Sequence, residues 1–495
     1  MTKRTIIVTS TLILWLGAMG WLVLYEAYPS LLDRASSGYR TFLDQGIMIM
    51  DRWMVITFQG QSIGYSHTSV DIDEKNALRQ YRVNNRTLLT LTVMGSRQRI
   101  SVTSDATVDA LYNLQLFHFA LSSSGYSITV DGQRQQGNVF DVKIKSASSI
   151  QRLTVTIPDD AVIYSPMTEM TLKSLTPGRQ VTLRVFNPIT LSAQNVTVRA
   201  LRRETLILRN QTHETTVLAA KMDGMETLSW MDAEGVMLRQ LTPFGWAMES
   251  CTSQEALSPV KSSDTGDILT SLAVPIRGDV NRLSSQPAVR LRLTGVNLSR
   301  EQLETSRQEV ISVETNTAEI IVKTDTLPAA GRAEVPLPRG MEPWLGSTAF
   351  IQASDRRMTD KAREIVGNRT NRLEAALAIY QWVNTHVAKK PTVSLPSALD
   401  VLQTPEGDCN EHTYLFVGLA RAAGLPARVR VGVTLHEGKF FYHAWPSVYV
   451  DHWLDMDPTR GLPAVNAGYI SLVEGELGEQ MKLMGVIGQL KVEIL

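Results

Sequence analysis

A cysteine, a histidine and an aspartate stand in the last fifth of the chain in an order that could support covalent catalysis. Cys409 lies in the run Thr404 to Thr413, TPEGDCNEHT, His443 in Tyr442-His443-Ala444-Trp445, and Asp457 in Asp455-Met456-Asp457-Pro458-Thr459. A thiol nucleophile, a base and a group that orients the base are the parts an acyl-transfer enzyme needs. Cys409 is expected in the first turn of a helix. Asp408 is an acceptable N-cap, Tyr414, Leu415, Leu419 and Ala422 form an apolar stripe, and Gly424 and Pro426 end it. There the unpaired amides and the helix dipole favour thiolate, whereas the acidic neighbours Asp408 and Glu411 oppose it. The Cys409 amide is the first oxyanion donor to expect, with Gln403 as a second.

Arg428 to Gly432 and Phe440 to Val450 read as strands, the second with His443, Trp445 and Ser447 on one face. Trp453 to Asp457 follows as a returning strand. A three-residue loop centred on Val450 would pair His443 and Asp457 directly, and one centred on Asp451 would set them diagonally. A two-residue turn at Val450-Asp451 would send Asp457 to the other face. Trp445 is expected to wall the site. His412, three residues after Cys409 on the same helix, competes as a base but reads as a packed residue, and Asp455 is the substitute third member. A metal reading of Cys409 and His412 with His436, His443 or His452 lacks the paired Cys or Glu spacing of a zinc site. No cofactor or metal is called for.

The blocks GDCNEHT, GLPARVRVG, YHAWPSVYV and WLDMDPT together resemble the bacterial type of transglutaminase-like domain, over roughly Ala353 to Gly461. The resemblance implies a papain-like α/β fold with Cys409 as nucleophile, His443 as base and Asp457 as the third member. It implies a thioester formed on a glutamine, amide or peptide carbonyl and passed to water or to an amine, with protein or wall peptide as substrate. Unlike the animal cross-linking enzymes, this chain has no tryptophan just upstream of the cysteine. The alternative from another class is a silent scaffold that binds a partner.

The elements that must position these residues follow from the rest of the chain. At 495 residues more than one domain is expected. Lys+Arg 49 against Asp+Glu 49 leaves no net field to draw the protein onto nucleic acid. Two cysteines, Cys251 and Cys409, exclude a disulfide framework. Thr5 to Tyr25 is uncharged and apolar, so it reads as a single membrane-spanning anchor behind a short cytoplasmic tip at 1–4, with the body exported to the periplasmic or extracellular side. A helical stalk is expected over 26–53. Period-two alternation predicts an antiparallel β domain over 54–251, as a curved sheet or partly open barrel. A small β bridging unit is expected over 267–326 and an α+β catalytic domain over 344–495, entered by a buried helix through Leu373, Ala376, Leu377, Tyr380, Val383 and Val387.

Overall fold

The computed structural model describes residues 50–73, 80–109, 113–123, 126–163, 166–222, 225–243, 245–258, 267–328, 336–395 and 397–495. The membrane span and most of the stalk expected from the sequence lie outside these residues. Among the described residues no helix is long and apolar enough to cross a membrane, so the single-pass anchor and the exported, membrane-attached topology read from it gain no support from the structure. Met50 to Trp53, expected to end the stalk, open a strand instead.

Among the described residues fifteen strands form one sheet. The first eight are β1 (Met50–Phe58), β2 (Gln61–Asp73), β3 (Gln80–Val93), β4 (Ser96–Asp109), β5 (Leu114–Ser123), β6 (Tyr126–Arg134), β7 (Val139–Lys145) and β8 (Ile150–Thr156). The other seven are β9 (Ala161–Val162), β10 (Gln180–Asn187), β11 (Ser192–Leu208), β12 (Gln211–Met222), β13 (Met225–Met231), β14 (Met237–Leu241) and β15 (Trp246–Cys251). Alternation sets one face inward, as in β7, where Phe140, Val142 and Ile144 are buried and Asp141 and Lys145 are exposed. Two-residue turns at Gln59-Gly60 and Arg209-Asn210 carry positive φ at both central residues, the backbone that matches strand twist in tight hairpins. Asp131-Gly132, a turn signal by composition, lies inside β6. A side chain at Gly132 would sit 2.1 Å from the ring of its cross-strand partner Phe117, so this glycine makes room for an aromatic ring.

The sheet runs as a meander from edge β8 to β1, which pairs with β15, and on to the other edge, β9. Phe117 on β5 nonetheless meets Phe186 on β10 edge to face at 5.3 Å, although nine strands lie between them in the sheet. The sheet therefore curls round on itself and hides its apolar face, while among the described residues its two edge strands do not pair with each other.

A five-stranded sheet follows, containing β16 (Ile276–Arg277), β17 (Ala288–Thr294), β18 (Gln308–Glu314) and β19 (Thr317–Lys323). Its fifth strand, Lys491–Ile494, comes from the far end of the chain and pairs between β16 and β17. The region assigned to 344–495 is thus tied back into the bridging unit. Between them lie helices α1 (Arg356–Val366), α2 (Arg372–His386), α3 (Ala398–Gln403) and α4 (Cys409–Ala422). The parallel pair β20 (Ala388–Lys389) and β21 (Glu406–Gly407) brackets α3. A four-stranded sheet completes the layer, with β22 (Ala427–His436), β23 (Lys439–Tyr449), β24 (Trp453–Asp455) and β25 (Tyr469–Glu474) in the order β24-β23-β22-β25. Asn371 caps α2 by accepting from the amides of Leu373 and Glu374. Gly418 lets α4 approach its neighbours, since a Cβ there would lie 3.0 Å from Ala398 and 3.3 Å from Met358.

Candidate active site

Asp408 caps α4 and places Cys409 at its first helical position. The cap is reciprocal: the Asn410 amide donates to Asp408 Oδ1 at 2.9 Å, and the Asp408 amide donates to Glu411 Oε2 at 2.8 Å. Gly407 precedes it because any side chain there would strike Glu411, at 2.3 Å from its Cγ. The whole of α4 packs into the main core, with Tyr414, Leu415, Phe416 and Val417 fully buried.

The Cys409 sulfur faces the backbone N–H of Ala444, one residue along β23 from His443, a contact that favours the anion. It is outweighed. Burial, then the charge of Asp408, push the thiol well above its ordinary value. Of the two opposing influences read from the sequence, the acidic neighbours act together with desolvation to raise the thiol. Burial and Glu411 in turn push Asp408 up.

His443 and Asp457 meet through the Asp451-centred register. Ser447 pairs with Asp455, Val448 with Leu454 and Tyr449 with Trp453, and the Val450 amide donates to the His452 carbonyl at 3.0 Å. Continued past the last paired residues, this register sets Asp457 opposite Trp445 and diagonal to His443. The imidazole Nε2 lies 2.7 Å from Asp457 Oδ2, with Asp457 fully buried. A tight loop holds that carboxylate: the amide of Asp457 donates to the Leu462 carbonyl at 2.8 Å, and the Arg460 amide donates to Asp457 Oδ1 at 3.0 Å. Burial alone would raise the Asp457 pKa, but the His443 ring, the Tyr469 hydroxyl and the Arg460 amide hold it down at about 2.

Tyr469 escaped the sequence reading, which stopped near Gly461. Its hydroxyl donates to Asp457 Oδ2 at 2.6 Å, and its ring stands edge-on to Trp445 at 5.3 Å. It arrives on β25, which approaches β22 closely at Gly432, the residue paired with His443. A Cβ at Gly432 would lie 1.9 Å from the Ile470 carbonyl oxygen. Trp445 is fully buried beside His443, ring centroids 6.4 Å apart.

The remaining candidates are engaged elsewhere. Asp455 accepts from Trp445 Nε1 at 3.0 Å and pairs with the buried Arg307 at 3.3 Å, so it anchors the bridging unit. Arg307 also lies 3.4 Å from Asp325, whose carboxyl burial and the Asp455 charge push up to about 6. His412 is fully buried, with Nδ1 2.7 Å from the Asp408 carbonyl oxygen. His436 is exposed at the end of β22, and His452 sits in the β23–β24 turn beside Asp451. Among the described residues no group of His, Cys, Asp and Glu gathers to hold a metal ion. Gln403 is exposed at the end of α3.

A second support was invisible in the sequence because it joins positions far apart. Segment 390–395 runs alongside the start of α4, with Ser394 donating to Glu411 Oε1. The curled sheet grips this strap: Ser123 donates to the Val393 carbonyl and Tyr126 to the Leu395 carbonyl. Nearby, Ser146 donates to Asp400 of α3 at 2.8 Å.

The fold and site define an α+β layer carrying a cysteine at a helix start beside a hydrogen-bonded His–Asp pair. Residues 359–458, which include all three, match the model of the transglutaminase-like superfamily. Among solved structures, the chain is similar to a Cytophaga hutchinsonii protein assigned as a cysteine protease, at 19% identity and TM-score 0.32, covering 41% of this chain and 83% of that one. It is also similar to a β-barrel-like protein of a domain of unknown function from Brucella abortus, at 11% identity and TM-score 0.31, covering 41% and 94%. A third is the periplasmic domain of TgpA from Pseudomonas aeruginosa, at 14% identity and TM-score 0.24, covering 58% and 75%. At these scores none transfers an activity. No curated protein matches the chain at a significant level.

Proposed function

We propose that this protein is a transglutaminase-like thiol enzyme that attacks amide carbonyls, with Cys409 as nucleophile, His443 as general base and acid, and Asp457 as the group that orients the imidazole. The observation that carries the reading is the buried His443–Asp457 hydrogen bond at 2.7 Å, set beside a helix that begins with a cysteine. Asp457 occupies Nε2, which leaves Nδ1 for the thiol. His443 takes the Cys409 proton as sulfur bonds to the carbonyl carbon. The imidazolium then returns that proton to the departing amine as the C–N bond breaks, leaving a thioester. Water or a second amine, deprotonated by His443, releases the acyl group and restores the thiol. Proton transfer from Cys409 to His443 accompanies the attack, since burial pushes the thiol above its ordinary value.

The test is a glutaminyl peptide incubated with the full chain, with and without a primary amine, reading ammonia release and product mass. Ammonia release abolished by Cys409→Ala and by His443→Ala supports the proposal, and the product identifies the acceptor. Ammonia release by the Cys409→Ala protein contradicts it. A wild-type protein inert toward a panel of such peptides, and unreactive with activated esters, favours the silent scaffold.

A further inference from the structure

The curled sheet contains a cleft of about 270 Å³ that takes no part in the chemistry above. Its lining residues all lie between Arg52 and Met248, so its role does not depend on Cys409.

One wall is polar and already organised. The Asn85 side-chain amide on β3 donates to Ser66 Oγ at 2.9 Å and to Thr68 Oγ1 at 2.7 Å, and the Thr87 hydroxyl donates to Ser66 Oγ at 2.9 Å. Both β2 hydroxyl oxygens are thus acceptors, and each retains a proton to give. Ser66 and Thr68 are 5% and 8% exposed, so those protons look for an acceptor in the cleft rather than in bulk water. Beside them Arg52 and Glu169 form a two-pronged ion pair with Glu169 almost wholly buried. Among the described lining residues these are the two charged groups, and they are paired, so an ionic guest would be desolvated with little compensation.

The remaining wall carries Met54, Met237 and Met248, unbranched side chains that adapt to an irregular apolar guest. At about 30 Å³ for each water-sized group, the volume admits about nine such groups. Sheet interiors ordinarily fill such a space with side chains.

We propose that this cleft binds a neutral acyl group, a short apolar chain ending in an amide or ester carbonyl, with the carbonyl oxygen accepting from Ser66 and Thr68 and the chain lying on the three methionines.

The test uses the full chain labelled with ¹³C at its methionine methyl groups and titrated with octanamide. Saturable shifts at Met54, Met237 and Met248 are expected. The octylammonium ion, which has the same chain but a charged head without an acceptor, should bind at least about tenfold more weakly. Thr68→Val should weaken octanamide about tenfold. Met248→Trp, which fills the cleft, should abolish the shifts while the other methionine signals keep their positions, and it serves where Thr68→Val disturbs the sheet. Absence of saturation, equal binding of the ammonium ion, or undiminished binding to Met248→Trp would overturn the assignment. None of these outcomes bears on turnover at Cys409.

Discussion

The curled sheet and the α+β layer solve opposite problems with the same chain. In the sheet nearly every strand pairs with its neighbour in sequence, and the interior is apolar except at a few places such as the Arg52–Glu169 pair. In the α+β layer Glu411, His412, Arg421, Arg428, Arg430, His443, Asp455 and Asp457 are all buried. Stability in the first is spread over many local pairs. In the second, charges are kept from water at a cost and are tolerated because each has a fixed partner. A substitution in the sheet away from its contacts with segment 390–395 should therefore act on stability alone, whereas one in the layer should act on activity, on stability, or on their pH dependence.

The sharpest contrast sets Cys409→Ala against Leu183→Ala. The first should lower amide turnover by about a thousandfold or more while moving the thermal midpoint by only a few degrees. The second empties a buried site on β10, 2% exposed, and should cost about 2–5 kcal/mol with kcat/KM unchanged. Turnover assays and denaturant titrations on both variants check the pair. An Leu183→Ala protein that stays stable but loses turnover would break the division.

Arg307→Met asks whether the buried charges hold the layer together. It strips Asp325 and Asp455 of their shared cation, and a loss of about 3–5 kcal/mol is expected in chemical denaturation. A loss below about 1 kcal/mol would place this cluster with surface pairs.

The pH dependence has a defined sign. Asp457 is held at about 2, below its unfolded value of about 3.9. Its contribution is present above pH 4 and is lost as pH falls toward 2, on the order of 2 kcal/mol. Asp457→Asn should remove that part of the acid transition and, by releasing the imidazole tautomer, cut turnover about 10⁴-fold. Stability measured from pH 2 to pH 6 shows the first effect.

The smallest effect tests whether the two regions communicate. Tyr126→Phe removes the sheet's hydrogen bond to the Leu395 carbonyl and frees one end of the strap beside α4. A decrease of a few-fold in kcat with KM unchanged is expected, on the order of one hydrogen bond. An unchanged kcat would mean that the sheet carries the layer without steadying it.

Much of this was legible because it is local. The cap at Asp408, the stop at Gly424 and the alternation in β7 each depend on residues within one turn or one hairpin, where spacing decides the outcome. The His443–Asp457 register narrowed to three choices, and the backbone selects the loop centred on Asp451. What stayed hidden is long-range: Tyr469 reaching Asp457, Arg307 reaching Asp455, Tyr126 reaching the strap, and the strand Lys491–Ile494 returning to the bridging unit. The burial of Cys409 was hidden for a related reason, since helix position can be seen in a sequence and burial cannot.

The proposed activity requires that the Cys409 sulfur become acylated with the help of His443. It is tested most directly by intact-protein and peptide mass spectrometry after brief exposure to p-nitrophenyl acetate. One added acetyl group is expected on Cys409, removable by hydroxylamine, with little acylation there in His443→Ala, in which the thiol is still present. Acetylation of Cys409 at equal rates in both proteins, or acetylation elsewhere with Cys409 unmodified, would contradict it.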